Sequence, residues 1–306
     1  MARGKHLWFN GKIQAVAETQ VSLFTYGLHY GMGAFEGIRA YEQNQGGIAI
    51  FRLDDHIDRF IQSFKILGFD LPFVKKSLIE ACIDVCKKNQ FKSSYLRPIA
   101  FIGDGPLGLN VGENPPIDVA VLNWEWGDYL GEEGVKNGTR LKISSFTRPH
   151  VNSVMTKGKI TGQYVSSVMA KREAILDGFD EAIFLDPEGF IAEGSGENVF
   201  IIRNGEIKTT PLTSVLAGIT RMTVMDYFKN KGIPVKEARF SRDELWCADE
   251  VFVCGTAAEI TPVREIDRRT IGEGKPGPVT TQLQKDYSQI VRGEVPQYGS
   301  HWLTKV

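Results

Sequence analysis

A lysine, two closely spaced glutamates and a glycine-led helix start carry the most readable chemistry in this chain. Glu193-Gly-Ser-Gly-Glu197-Asn-Val-Phe puts a glycine-flanked acid at a chain reversal between two strand-like runs, and Gly218-Ile-Thr220 then opens a helix. A carboxylate so placed suits a protonated ring nitrogen, which it keeps charged. Backbone N–H groups at a helix start lack intrahelical partners and carry the positive end of the dipole, so they suit a phosphate. Lys159 lies upstream, in Lys157-Gly-Lys-Ile-Thr-Gly-Gln-Tyr164, between a strand and a helix. A lysine at such a junction is ordinarily solvated. To attack a carbonyl it must be neutral part of the time near pH 7, which burial and nearby cations promote. Taken together, these residues suggest a site for an organic phosphate cofactor with a reactive aldehyde. Tyr164 follows Lys159 by five residues and can present its hydroxyl to the same pocket. Spacing alone does not separate Glu193 from Glu197 as the ring-nitrogen partner.

Three further places bear on ligands. His56 and Arg59 share one face of a helix, and Arg59 is either a phosphate partner or, as is commoner for such a residue, a surface cation. Tyr95 and Arg97 share one face of an otherwise apolar strand. A charge there needs a partner if buried, which makes Arg97 a better candidate for carboxylate binding than most arginines of the chain. Gly255-Thr256-Ala257-Ala-Glu-Ile is a small-residue loop that lets a ligand approach the backbone. Other motifs fall away. Gly103–Gly108 and Gly272–Gly277 both fit G-x-G-x-x-G, but the first is not followed by a helix. The second has too little chain after it for a βαβ unit. The five histidines show no metal spacing, so no metal is expected, and no G-x-S-x-G elbow occurs.

The elements that must hold these residues mix both periods. Leu7 to Ile13 is a hairpin around Asn10-Gly11, the strongest type I′ turn signal. Residues 34–41 and 48–51 read as paired strands around Asn44-Gln-Gly-Gly. Residues 53–67 and 78–88 read as amphipathic helices, and 95–101 and 117–124 as strands. Residues 126–134 lack either period and are taken as a connection. A strand over 141–146 and a helix over 161–177 follow. Short strands are then expected at 181–185, 197–202, 206–209, 251–254 and 260–266. A helix over 220–231 interrupts them, closed by Gly232 and Pro234.

The 306 residues suffice for one large or two medium domains. With 42 % hydrophobic and 24 % charged residues the composition is that of an ordinary globular protein. A net charge of −1 gives no global field to recruit nucleic acid or an anionic membrane. Four sparse cysteines, with Cys82 and Cys86 four apart on one helix face where disulfide geometry is poor, no signal-like apolar start and no run of about 18 apolar residues point to a reduced, cytoplasmic protein without a membrane span.

At this point the chain resembles the branched-chain amino-acid aminotransferases of fold type IV, which use pyridoxal phosphate. The resemblance rests on His29-Tyr-Gly-x-x-x-Phe35-Glu-Gly-Ile-Arg39, Tyr95-x-Arg-Pro98, Lys159-x-x-Gly-x-Tyr164, Glu193-Gly-x-Gly-Glu-Asn198, Ala217-Gly-Ile-Thr-Arg221 and Gly255-Thr-Ala-Ala-Glu-Ile-Thr-Pro262, in order and nearly end to end. It implies an α+β, two-domain fold type IV enzyme. The small N-terminal α/β domain would span 1–125, an interdomain loop 126–136, and a larger pseudo-barrel cofactor domain 137–306. It implies transamination of L-leucine, L-isoleucine and L-valine with 2-oxoglutarate.

The resemblance also implies roles. Lys159 looks like the Schiff-base lysine and proton shuttle, and Glu193, rather than Glu197, like the pyridinium partner. Tyr164 would bond the phenolic oxygen, and Leu216 would pack on the ring. Arg59, the Gly218-Ile219-Thr220 backbone and Thr256 would hold the phosphate. Tyr95, Thr256 and the Ala257 N–H would take the substrate α-carboxylate. Phe35, Gly37, Trp126, Tyr129 and Tyr164 would shape an apolar pocket. Arg97, with Tyr30 from a neighbouring subunit, would bind the glutamate γ-carboxylate. Leu109 would also enter from that neighbour, so a homodimer is the minimum, with a trimer of dimers as the larger option. Ala217 departs from a proline common in relatives, and Leu107-Gly-Leu109 departs in the loop expected at the interface. The nearest alternatives are D-amino-acid aminotransferase, (R)-amine transaminase and aminodeoxychorismate lyase, which share the fold. A non-catalytic phosphate-ligand-binding protein is the alternative from another class.

Overall fold

A computed structural model describes residues 1–127 and 131–306. Tyr129, expected in the apolar pocket, lies outside the described residues. The chain divides into two compact units, the first formed by 1–127, 158–164 and 289–306, the second by 128–157 and 165–288. The segment carrying Lys159 therefore belongs to the first unit, as does the C-terminal tail. Both units mix helices and strands in an α+β arrangement. Among the described residues no helix is long and apolar enough to cross a membrane.

The first unit is built on an antiparallel sheet of eight strands. Its order runs Leu303–Lys305, Ile48–Phe51, Ile38–Glu42, Ser94–Ile102, Ile117–Glu125, His6–Phe9 and Lys12–Ala15, with Gly33–Phe35 also paired to Ser94–Ile102. Asn10 and Gly11 both take positive φ, 46° and 97°, as a type I′ hairpin requires. Helices Leu53–Ile66 and Lys75–Asn89 cover the sheet. Leu53, Ile57, Phe60 and Phe64 recur at helical spacing and pack with Ile38, Ile50, Leu96 and Val121 in one core. The expected single strand over 34–41 is broken in two, at Glu36-Gly37, between Gly33–Phe35 and Ile38–Glu42. The register runs on unchanged, Phe35 facing Ile99 and Ile38 facing Leu96, but Pro98 opposite Glu36 has no N–H to give the ladder, and only Glu36 N to Pro98 O at 2.8 Å bridges the gap. A Cβ on Gly37 would stand 1.7 Å from Tyr95 Oη, so that position holds no side chain.

The second unit holds a mixed nine-stranded sheet, in the order Ile191–Gly194, Glu181–Leu185, Thr139–Thr147, Glu259–Ile266, Glu250–Gly255, Asn198–Arg203, Glu206–Thr209 and Val235–Glu237, with Arg269–Thr270 beside Glu259–Ile266. The first and sixth strands of that order are separated in sequence by residues 195–197 alone. Laid flat, five strand spacings would part them by about 24 Å. Four Cα steps reach at most about 15 Å. The sheet must therefore curl, and it does: Gly194 N donates to Glu197 O. Val199, Ile201, Val251, Val253 and Val263 pack with Phe240 and Leu245 on one face. Ala170, Ala174, Phe184 and Val215 pack on the other.

Some elements differ from expectation. Part of the stretch 126–136, expected as a loop, is helix Gly131–Asn137. Helices Arg242–Trp246, Pro278–Val291 and Pro296–Trp302 stand beyond the expected elements; in the second, Leu283, Tyr287, Ile290 and Val291 recur at helical spacing and are buried. Helix Pro278–Val291 starts against a buried acid on a strand. Glu250 accepts from Val279 N, Thr280 N and Thr280 Oγ1 at 3.0, 2.8 and 2.7 Å.

Candidate active site

In the first unit, segment 158–164 is stitched to the strand Gly33–Phe35. Phe35 N donates to Lys159 O at 3.0 Å, and Thr161 Oγ1 donates to Gly31 O at 2.7 Å. This fixes where the Lys159 side chain emerges. Its Nζ is 2.8 Å from Tyr164 Oη and 5.1 Å from the centres of both the Phe35 and Tyr164 rings. Those rings meet edge to face at 4.7 Å. The half-buried amine thus has one phenol partner and an aromatic wall.

Arg97 completes that wall. Its guanidinium carbon lies 4.5 Å from the centre of Phe35 and 5.6 Å from those of Tyr95 and Trp124. Tyr95 in turn packs on Trp126 at 4.6 Å. Strand alternation had placed Tyr95 and Arg97 together, and they are together. Among the described residues Arg97 Nε is buried without a hydrogen-bond partner. A planar cation stacked on rings, with donors left over, can take a carboxylate.

Arg59 has a partner the sequence did not announce. Its Nε and Nη2 fork onto Glu36 at 2.6 and 2.9 Å, and His56 Nδ1 meets the same carboxylate at 2.7 Å. Burial works to raise the Glu36 pKa, but Arg59 and His56 outweigh it and hold the carboxyl well below the usual range. Burial, working against Glu36, lowers the His56 pKa, so a neutral ring donating through Nδ1 suits the geometry. Tyr30 packs on Tyr26 at 4.5 Å and is 43 % exposed, while Leu109 is 89 % exposed. The structure places neither against Lys159.

In the second unit, Glu193 and Glu197 have different surroundings. Glu193 Oε1 is 2.9 Å from Arg148 Nη2, and its Oε2 accepts from Leu216 N at 3.1 Å. Asn198 Nδ2 bonds Leu216 O at 3.1 Å, which ties the two loops together. Glu197 is buried near the Glu181 carboxylate. Burial first, then Glu181, push its pKa up to about 8. Gly218 caps helix Ile219–Asn230 with no side-chain bond. A Cβ on Gly218 would lie 2.1 Å from Asn198 Oδ1, so glycine is required. The N–H groups of Ile219 and Thr220 are left at the helix start without intrahelical acceptors. Thr256 and Ala257 lie in the turn between strands Glu250–Gly255 and Glu259–Ile266. Among the described residues no cluster of possible metal ligands occurs.

Residues 33–266 match the model of the class IV amino-transferases. The branched-chain-amino-acid aminotransferase of Pseudomonas aeruginosa is 44 % identical over 300 residues, covering 98 % of this chain and 97 % of the relative. A crystal structure of the T.th. branched-chain amino acid aminotransferase with pyridoxamine 5′-phosphate superposes with a TM-score of 0.95 at 46 % identity, covering 100 % and 99 % of the two chains. The same enzyme complexed with N-(5′-phosphopyridoxyl)-L-glutamate gives a TM-score of 0.94 at 44 % identity over the same shares.

Proposed function

The chain belongs to the class IV amino-transferases, and on that premise we propose that it exchanges the amino group of L-leucine, L-isoleucine or L-valine with 2-oxoglutarate, giving the branched-chain 2-oxo acid and L-glutamate. Membership carries the cofactor, pyridoxal 5′-phosphate. When bound, that group supplies an electron-accepting ring that stabilises charge left at the substrate Cα.

The residues present fit the group. Lys159 offers a half-buried amine bonded to a phenol, and Gly218 leaves an uncapped helix start where any Cβ would collide. Lys159 would hold the aldehyde carbon, then take the Cα proton and return it at C4′. Tyr164 would bond the phenolic oxygen and help orient the amine. Glu193 would hold the proton on the ring nitrogen. Its ion pair with Arg148 supports this role, because a partner for a cation must stay ionised. Glu197, pushed toward the neutral acid, is less suited. Arg59, Thr256 and the N–H groups of Ile219 and Thr220 would hold the phosphate, with Leu216 on the ring face. Tyr95, Thr256 and the Ala257 N–H would hold the substrate α-carboxylate. Phe35, Gly37, Trp126 and Tyr129 would shape the apolar side-chain pocket. Arg97 would take the γ-carboxylate of glutamate.

A second copy of the chain would supply Tyr30 and Leu109. Val165, Val168, Met169 and Leu176 leave an apolar stripe exposed on helix Tyr164–Leu176, which a second copy would cover.

The observation that carries the reading is Lys159 Nζ at 2.8 Å from Tyr164 Oη, beside a ring that also stacks on Arg97. Borohydride reduction of the purified protein and peptide mapping should find the cofactor on Lys159. Spectral half-reactions should respond to L-leucine and L-glutamate. Response to D-alanine or a chiral amine, with none to L-leucine, would overturn the substrate assignment.

A further inference from the structure

Two residues outside the expected set join Lys159 to Arg59 through a closed ring of bonds in the first unit. Lys159 N donates to Ser63 Oγ at 2.9 Å. Ser63 Oγ donates to Arg59 O, one turn back on the same helix, at 2.7 Å. The Arg59 guanidinium forks onto Glu36, whose backbone N is anchored on Pro98 O at 2.8 Å. The preceding residue closes the ring, because Phe35 N donates to Lys159 O at 3.0 Å. Ser63 and Glu36 are both fully buried. His56 Nδ1 supports Glu36 from the helix that carries Arg59 and Ser63.

We propose that Ser63 and Glu36 are positioning residues that set the Lys159 main chain and the Arg59 fork as one unit, so that the amine and the phosphate-holding cation keep a fixed separation. The inference rests on the reading that Lys159 holds the cofactor aldehyde and Arg59 its phosphate. Two chemical facts favour it over plain core structure. An apolar residue would fill the Ser63 site, but it would leave the Lys159 N–H unsatisfied. A carboxylate is costly to bury, and Glu36 is held by an arginine fork and an imidazole rather than by surface cations. The ring also explains why the two arms act differently. The Glu36 carboxylate bears on the cofactor through the Arg59 head group; its other partners are His56 Nδ1 and Gly37 N, the latter at 3.2 Å. Ser63 reaches the cofactor through the main chain of Lys159.

The test uses the full chain freed of cofactor and titrated with two probes, pyridoxal phosphate and pyridoxal, which lacks the phosphate. Glu36→Gln is expected to weaken pyridoxal phosphate binding by roughly tenfold or more, the scale of a lost charge-assisted bond, and to change pyridoxal binding by less than about twofold. Ser63→Ala is expected to weaken both probes alike. It should also shift the pH at which the visible absorption of the bound cofactor changes, while Glu36→Gln leaves that midpoint nearer to wild type. Equal losses for both probes in Glu36→Gln, or no change of affinity and midpoint in Ser63→Ala, would overturn the proposal. Ser63→Ala removes one oxygen and favours the helix, so it carries the test if Glu36→Gln does not fold. The wild-type borohydride adduct separates the two layers. Its absence from Lys159 defeats the functional reading, whereas its presence beside insensitive variants defeats only the ring.

Discussion

Arg148 Nη2 stands 2.9 Å from Glu193 Oε1, with both side chains buried in the second unit. The pair joins the start of one loop to a strand end. Removing one member of a buried ion pair strands the other charge, at a cost of about 3–5 kcal/mol. Arg148→Met should therefore lose stability on that scale in denaturant unfolding. The double variant Arg148→Met/Glu193→Gln should recover a large part of the loss, because neither charge remains. Additive losses in the double variant would show that the pair is not coupled.

Glu197 yields a pH prediction. Burial and the Glu181 carboxylate push its pKa from 4.5 up to about 8, against pulls from the Gly196 N–H and Lys171; Glu193 and the buried Cys254 thiol on the next strand also face it. The folded chain thus keeps a proton that the unfolded chain sheds near pH 4.5. Stability from this group is fully present below that pH. It declines as pH rises, and is lost above about 8. Glu197→Gln stays neutral throughout and should flatten this decline. Thermal midpoints of both proteins at pH 5 and pH 8.5 check it, since other titrating groups, His56 included, are common to the two. A wild-type-like slope in the variant would refute the assignment.

These two acids also show what was legible from sequence. Spacing could not rank Glu193 over Glu197, because both flank the same turn; only their surroundings differ, with Arg148 beside the first and the Glu181 carboxylate near the second. Arg148 lies 45 positions before Glu193 (193 − 148), and Ser63 lies 96 before Lys159. Such pairings leave no periodic trace. What local rules govern was readable: the Asn10-Gly11 turn, the apolar face of Leu53–Ile66, and the shared face of Tyr95 and Arg97. Asn198 was within a quoted motif, yet its bond to Leu216 O depended on how the sheet curls. The break at Glu36-Gly37 was hidden because alternation runs straight through it. Only the ring of Tyr95, far away in sequence, forbids a side chain there.

That close approach predicts the behaviour of Gly37→Ala. The new Cβ would start 1.7 Å from Tyr95 Oη and 2.5 Å from Cζ. Tyr95 is held between Trp124 and Trp126, at ring distances of 5.2 and 4.6 Å, so the strain has no cheap outlet. Overpacking of this kind costs about 1–3 kcal/mol. With Tyr95 displaced, KM should rise for leucine and glutamate together, since both present an α-carboxylate. A rise for one substrate alone would place Tyr95 elsewhere in recognition.

Arg97 should behave in the opposite way. Its guanidinium carbon lies within 5.6 Å of the Phe35, Tyr95 and Trp124 ring centres, and its buried Nε has no acceptor among the described residues. Leucine brings no second carboxylate, whereas glutamate and 2-oxoglutarate do. Losing a charge-assisted bond to that group costs about 1.5–3 kcal/mol, or roughly 10- to 150-fold. Arg97→Met keeps an apolar surface against the rings and removes the cation. It should raise KM for glutamate and 2-oxoglutarate on that scale and change kcat/KM in the leucine half-reaction by only about threefold, the scale of a small packing change. Arg97→Lys should restore little, because an ammonium is a strongly hydrated point charge and offers no planar fork. Single-turnover half-reactions for each substrate give the comparison directly. Equal losses for leucine and glutamate would assign Arg97 to holding the aromatic wall in shape rather than to reading the side-chain carboxylate.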